Sequence, residues 1–387
     1  MRILAGADTR AITPPVGEPD RPVFLAGFQG DRRATDVESD LRVRTVALAE
    51  AGGRPFVLAV CDVIGLLRAE TLAIRAAVAD LGADVVVAAT HTHSGPDTIG
   101  LWGPDEATRG VDDAHLAEVV TAVAASVRAA VAALEPATFS AATCDVDGVI
   151  RNTRDPDVLD RQVGVLAVDR PDGGAIATLV NVGMHPEVLD GDSALVSPDV
   201  AGATCAVLER VRGGVAVWAS GDLGGMQSPE EGPRTTAEMR RKADVVADAA
   251  LAGEQRVRFR GAEVRLPLWN PRYRAGIASG LLRGEVTDDG ALVTEVGVLD
   301  LGVARAAFWP GEVLPRLGMA SKAALATPVP FLVGLANDEL GYILPDADFV
   351  EPDDWEDPGD RYEESMSVGP RTGSLLTAAI AELLAAD

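Results

Sequence analysis

The sequence predicts an α/β fold with a mixed central β-sheet core flanked by helices. Short apolar runs of strand length alternate with longer Ala-, Val- and Leu-rich segments of helical spacing. Three of the apolar runs, 85–89, 176–182 and 215–219, lead into His91, His185 and Asp222. Sites in α/β proteins gather where loops leave strand ends. The composition, 47% hydrophobic and 24% charged over 387 residues, supports a sizeable core and excludes a disordered chain.

The elements follow in order. Residues 43–50 and 56–65 read as apolar strands around the Gly52-Gly53 turn, and 69–81 as a helix. Residues 83–90 read as a buried strand that stops at His91, and 112–134 as a long helix. Strands are expected at 137–144, 162–169 and 175–183, a helix at 199–211 and a strand at 214–220. A helix at 233–251 precedes strands at 255–268, 291–300, 304–309 and 329–335, and a helix at 372–386 ends the chain. No internal repeat is visible and no linker composition interrupts the chain. Residues 1–387 therefore read as one domain, with room for a small subregion at 255–300. The acid-rich, proline-punctuated segment 345–364 reads either as a solvated surface loop or as a lid beside a pocket.

Charge narrows the function. With 59 acids against 34 bases the formal net charge is −25. Such a chain is not expected to grip nucleic-acid phosphates or anionic membrane surfaces. Only Lys242 and Lys322 are lysines, which reads as a codon bias towards GC-rich DNA. Cys61, Cys144 and Cys205 are too widely spaced for a disulfide framework or a C-x-x-C site. The first residues show no basic region followed by an apolar run, so a cytoplasmic location and a small-molecule substrate are expected.

Histidines are scarce and unevenly distributed. Of four, His91 and His93 lie in ATHTHSGPD and His185 in NVGMHPEV, each after an apolar strand. His115, on the long helix, is expected to face solvent or to serve the helix N-terminus. In an extended H-x-H segment both rings share one side of the backbone, so one can bind a metal while the other backs the site. A metallo-β-lactamase pattern or an amidohydrolase barrel needs more histidines than the chain has. Oxygen ligands must therefore complete a site, and zinc accepts carboxylate. The oxygen candidates are Glu312 in WPGEV, Tyr362 in DRYEES, Asp62, Asp199 and Asp222. Asp199, opening a helix, has a structural alternative as a cap. The GDLGG run beside Ser228 is flexible enough to bring backbone N–H groups to a ligand. No phosphate-binding loop, dinucleotide fingerprint or G-x-S-x-G elbow is present.

The segments AGADTRAITPPVG, FLAGFQG, CDVIGL, THTHSGP, LVNVGMHPEVL, SPDVAG, SGDLGGMQSP, WPGEV, GLANDELGYILP and RYEESMSVGPRTG occur in that order from residue 5 to 373. Together they resemble the N-terminal catalytic domain of the neutral/alkaline non-lysosomal ceramidase family. The resemblance implies that fold and a zinc ion held by His91, His185, Glu312 and Tyr362. It also implies His93 beside the metal, Ser228 in the site, and an arginine near the scissile group, either Arg151 or, as favoured here, Arg154. The family's C-terminal immunoglobulin-like domain has no counterpart in the sequence. The function expected is zinc-dependent hydrolysis of a non-peptide N-acyl amide of a soluble small molecule, not of membrane ceramide. An esterase or lactonase, a biosynthetic amidase or cyclase, a zinc aminopeptidase, and an inactive binding module are the alternatives. If segment 345–364 borders the pocket, it is expected to favour substrates that carry an amine.

Overall fold

Two sheets carry the architecture, and the larger is a repeated unit. The computed structural model describes residues 2–18, 20–105, 107–245 and 255–386. Short two- and three-residue bridges aside, the first unit runs β1 (Ile3–Ala11), β2 (Arg42–Glu50), β3 (Phe56–Cys61), α1 (Arg68–Ala77), β4 (Asp84–Ala89) and α2 (Asp113–Ala132). The second repeats that order: β5 (Glu135–Asp145), β6 (Gln162–Asp169), β7 (Ala175–Val182), α3 (Asp199–Arg212), β8 (Val215–Ser220) and α4 (Thr236–Val245). Their strands form one sheet in the order β8-β7-β6-β5-β1-β2-β3-β4. The units meet where β1 and β5 pair antiparallel. Each outer edge is a parallel pair, β3 with β4 and β7 with β8, joined by crossover helices α1 and α3. The repeat exists in topology and not in residue pattern, so the sequence conceals it.

The sheet folds over on itself. β8 contacts β2, β3 and β4, and β1 contacts β7 and β8. Val46, Leu48 and Phe56 from the first unit meet Phe139, Leu166 and Val217 from the second in one apolar layer. Each large side chain buried there contributes about 1.5–3 kcal/mol. Helices cover the outer faces, through Ile74, Val119 and Val127 on one side and Val200, Leu208 and Met239 on the other. Both strand faces are therefore dry. Val57 packs under the helices while Leu58 packs between the half-sheets, which is why these strands read as continuous apolar runs rather than alternations.

The second sheet follows. It is built around β9 (Gln255–Pro267), α5 (Pro271–Ser279), β10 (Ala291–Gly302), β11 (Arg305–Phe308), α6 (Pro315–Ala324) and β12 (Pro330–Val333), with strand order β9-β10-β11-β12. The short α7 (Tyr362–Ser365) and the C-terminal α8 (Thr372–Ala385) come after it. Leu299, Phe308 and Phe331 join the apolar layer of the first sheet, and the Phe56 and Phe308 rings lie 5.8 Å apart. Residues 255–300 thus share a core with the rest. Leu376 and Ile380 of α8 cover the sheet's other apolar cluster.

The expected α/β architecture, a mixed sheet with flanking helices, is present. β1, α5 and α6 were not expected. α5 and α6 open on proline at the first helical position, a start signal that polar and glycine-bearing surroundings obscure. The end of the expected 233–251 helix, 246–251, lies outside the described residues. α2 is long and apolar enough to cross a membrane, yet it packs on β1, β2 and β3 with Val119, Val123 and Val127 buried. Asp112 caps it, accepting from Ala114 N at 3.0 Å and His115 N at 3.1 Å, worth about 1 kcal/mol.

Candidate metal centre

His91 leaves β4 after Thr90. Its backbone is left-handed, φ 66°, so the expected extended H-x-H geometry does not hold. The loop is set instead by hydrogen bonds: His91 N donates to Val63 O at 3.0 Å and its Nδ1 to Ile64 O at 2.7 Å. With Nδ1 tied to a carbonyl, Nε2 faces Glu312 Oε1 at 3.7 Å. Burial pushes His91 down to about 3, with Glu312 opposing and the two other histidines reinforcing the shift. The ring is therefore neutral at pH 7, the form that ligates metal.

His93 is fixed from both units. Its N–H donates to Pro186 O at 3.2 Å, in the second unit, and its carbonyl accepts from Arg32. The left-handed Gly27, φ 78°, lies against the ring, where a Cβ would come within 2.5 Å of it. Phe28 meets the ring edge-on at 5.0 Å. His93 Nδ1 lies 3.2 Å from Glu187 Oε2.

His185 follows β7 and is fully buried. Its backbone N–H and Nδ1 both donate to Gln227 O, at 2.8 and 3.0 Å, which aims Nε2 at Glu312 Oε2, 3.1 Å away. Burial opposes charge on this ring, but Glu312 and Glu187 outweigh it and raise His185 to about 9. A cation between these groups would displace that proton. The His91, His93 and His185 rings stand 5.1–5.5 Å apart. One candidate ligand atom from each lies within 4.8 Å of the others, so the three together are capable of holding a divalent metal.

Glu312 enters on a short bridge from the second sheet's side. Its N–H donates to Gly341 O at 2.9 Å, and Glu312–Val313 pairs parallel with Tyr342–Ile343. Burial would raise its pKa, but the adjacent histidines hold it below the ordinary carboxylate value. Its carboxylate thus reaches both His91 and His185 with one oxygen each. Tyr362 opens α7 and meets Tyr342 edge-on at 5.9 Å. Although the residue is 48% exposed, desolvation of its hydroxyl and then Glu312 raise the phenol to about 12, so it keeps its proton. Both residues line the same cavity as His91 and His93.

The other candidates fall elsewhere. Arg154 does not line that cavity; its guanidinium binds Glu363 at 2.7 Å and Glu364 at 2.8 Å, the two acids after Tyr362. Arg151 pairs with exposed Glu231 at 2.6 Å. Ser228 is buried, and its hydroxyl bonds Glu187. Asp62 is buried against Arg44 at 2.6 Å. Asp199 accepts from Val188, Leu189 and Val200 N–H, tying the loop after His185 to the start of α3 rather than capping the helix. Asp222 lies 3.4 Å from buried Lys322, which also holds Asp160 at 2.5 Å. Within the GDLGG run, Gly221 and Gly224 donate their N–H groups to Val182 O and Val313 O and so do not offer them to a ligand. His115 is buried and does not face solvent: α2 presses its first turn under the N-terminal loops, and Glu118 lies 3.6 Å from Nδ1.

Two acids in the site were missed. Glu187, two residues after His185, contacts His93 and Ser228; these and His185 hold it below the usual range against its burial. Glu339 lines the cavity, accepts from Gly341 N at 3.0 Å, and has Oε2 buried without a partner. Burial, then Glu312 and Asp338, raises its pKa well above normal. The signal for Glu187 was its place in HPE, two residues after His185, and for Glu339 its place in GLANDELGYILP, one of the segments that carry the resemblance. The cavity itself, about 200 Å³, has an apolar wall that includes Ile64, Leu67, Ile99, Trp102, Leu281 and Leu292. Of segment 345–364 only Tyr362 contributes to its lining.

No family model matches the chain, and no curated protein matches it. Solved structures do. The whole chain superposes on 74% of the neutral ceramidase from Pseudomonas aeruginosa, with TM-score 0.76 and 18% identity. It superposes likewise on 75% of a ceramidase complexed with C2, with TM-score 0.78 and 17% identity. At that identity the likeness is one of fold, and by fold the chain is neutral-ceramidase-like.

Proposed function

We propose that the protein is a zinc-dependent hydrolase that cleaves a non-peptide N-acyl amide of a small molecule in the cytoplasm. The observation that carries the reading is the convergence of three imidazoles and Glu312, of which His91, His93 and Glu312 line an apolar cavity and His185 lies buried behind it. The donor set fits the metal: neutral His91 and carbonyl-anchored His185 supply nitrogen, Glu312 supplies oxygen, and Tyr362 is the further oxygen in reach of the cavity. When bound, zinc supplies Lewis acidity and a water of lowered pKa.

The chain's own residues account for the rest. The apolar wall excludes bulk water and seats the acyl portion. The protonated Tyr362 hydroxyl donates to the carbonyl oxygen as negative charge grows there. His93, with Glu187 behind it, holds the proton that the leaving nitrogen takes as the C–N bond breaks and water's oxygen joins the acyl carbon. Arg154 acts at one remove by fastening the acids that follow Tyr362. Ester or lactone cleavage would use the same groups.

The test is metal content together with a substrate panel. Purified protein is expected to hold about one zinc per chain, to lose activity on chelation, and to regain it with zinc. The panel comprises short N-acyl amines, N-acyl amino acids, esters, lactones and detergent-dispersed ceramide. Protein with no bound metal, or efficient ceramide turnover with the short amides untouched, would overturn the reading in its first or second part respectively.

A further inference from the structure

Two arginines line the cavity, and they differ in how they are matched. Arg283 is paired with Glu70 at 3.0 Å. Arg272 makes one side-chain hydrogen bond, from Nη1 to the carbonyl of Trp355 at 3.2 Å. Among the described residues no carboxylate pairs with it, in a chain where acids outnumber bases 59 to 34. It lines the same cavity as Tyr362.

The guanidinium sits on a braced support. Asn270 caps α5, accepting from Arg272 N at 2.8 Å and from Tyr273 N at 3.4 Å. The Asn270 amide donates to Ser365 O and Ser367 O, at 2.7 and 2.8 Å, in and just after α7. The Tyr273 hydroxyl donates to Leu340 O at 2.8 Å. The first turn of α5 is thereby fastened both to the segment carrying Tyr362 and to the loop carrying Glu339. Two acids of the neighbouring loops have other engagements. Asp338 accepts from Arg68 N and Glu339 N, and Asp354 accepts from Glu356 N and Asp357 N.

We propose that Arg272 anchors a carboxylate on the substrate, so that the preferred substrates are N-acyl amino acids and other acid-bearing N-acyl amines. This rests on the hydrolase reading above, and it reverses the expectation that segment 345–364 would favour amines. A planar fork with free N–H groups matches a carboxylate in two parallel hydrogen bonds. The acyl chain lies on the Ile64, Leu67 and Trp102 wall, the amide at the histidine cluster, and the acid at the mouth.

The experiment compares N-octanoylglycine, N-octanoylglycinamide and N-octanoylputrescine as substrates of the zinc-loaded protein and of R272Q and R272K. Wild type is expected to favour the glycine conjugate over the glycinamide by about ten- to hundred-fold in kcat/KM. R272Q brings that ratio near one, mainly through KM, and R272K, with charge but no fork, falls between. An unchanged ratio in both variants, or a wild-type preference for the putrescine conjugate, overturns the proposal. Thermal melts show whether R272Q is folded; if it is not, R272K decides. Calorimetric binding of N-octanoylglycine reads the anchor without turnover. Binding that R272Q loses, with no conjugate cleaved by wild type, supports the anchor and refutes the hydrolase reading alone. Cleavage of all three without preference for the acid refutes the anchor alone.

Discussion

The two units of the large sheet have the same order of strands and helices but contribute differently to the centre. In the first, β3 ends at Asp62 and β4 leads to His91 and His93. In the second, β7 leads to His185 and β8 to Asp222. Each unit therefore presents one histidine end and one aspartate end, from non-equivalent strands. The fold-over explains how they meet. Ser220 at the end of β8 donates to Thr90 O at 2.7 Å, and Ser197 N donates to Ser94 O at 2.9 Å, stitching the units together beside the histidines. The aspartate ends became buried ion pairs instead, Asp62 with Arg44 and Asp222 with Lys322. A repeated scaffold thus supplies four strand ends, and two of them bring the histidine cluster together.

Breaking the histidine ends is expected to have the largest effect. H91A or H185A should drop zinc content from about one per chain to near none, read by atomic absorption, with activity lost in parallel. H93A should keep most of the zinc and lose rate; equal metal loss in H91A and H93A would instead make H-x-H a ligand pair.

The aspartate ends should show the opposite pattern, stability lost with zinc retained. D62A leaves Arg44 buried beside only a distant Glu209, 3.7 Å away, and should cost about 3–5 kcal/mol in denaturant unfolding. D222A should cost less, because Lys322 keeps Asp160 at 2.5 Å. Zinc loss in either variant would erase the distinction between the two kinds of strand end.

A pH effect separates the crossover helices. α1 opens on Arg68, bound to Glu263, Glu285 and Glu295, whereas α3 opens on buried Asp199. Burial raises Asp199 from 3.8 to about 6, against its three backbone hydrogen bonds. The folded state then binds this proton more tightly than the unfolded chain. The contribution is complete below pH 3.8 and is lost as pH rises through 6, a change of about 3 kcal/mol. Unfolding of D199N should lack that slope, and identical pH profiles for the two proteins would count against the assignment.

The smallest change expected is S228A. It removes one hydrogen bond from Glu187 and should cost about 1 kcal/mol and less than tenfold in rate. A loss as large as that of H93A would move Ser228 from support into the reaction itself.

Much was legible in the sequence for physical reasons that attach to particular residues. β3, β4, β7 and β8 announced themselves because both faces are dry and most positions are apolar, Asp84, Thr178, Asn181 and Ser220 aside. The histidines stood out because they are few and follow such strands. β1 escaped because its outer half turns polar, with Asp8, Thr9 and Arg10 exposed or half-buried. The two lysines looked like accidents of base composition, yet both are interior. Lys242 donates to Glu230 O at 3.0 Å, and Lys322 lies between Asp160 and Asp222. A compact ammonium fits where a guanidinium fork does not.

By itself the sequence determined the α/β class, the order of most elements, and a roster of groups able to carry chemistry: His91, His93, His185, Glu312 and Tyr362, together with Asp62, Asp199, Asp222, Ser228 and Arg154 or Arg151. Those follow from local pattern, since burial dictates apolar runs and chemistry dictates rare side chains. Only the tertiary structure decided which of them meet. The folding-over of the sheet brings β4 and β7 ends together, the short bridge at Glu312 adds the acid, and Arg154 is drawn to Glu363 and Glu364 rather than to the cavity. Contacts between residues far apart in the chain, such as His91 with His185 or Arg154 with Glu364, depend on the register and curvature of strands, and no local pattern encodes those.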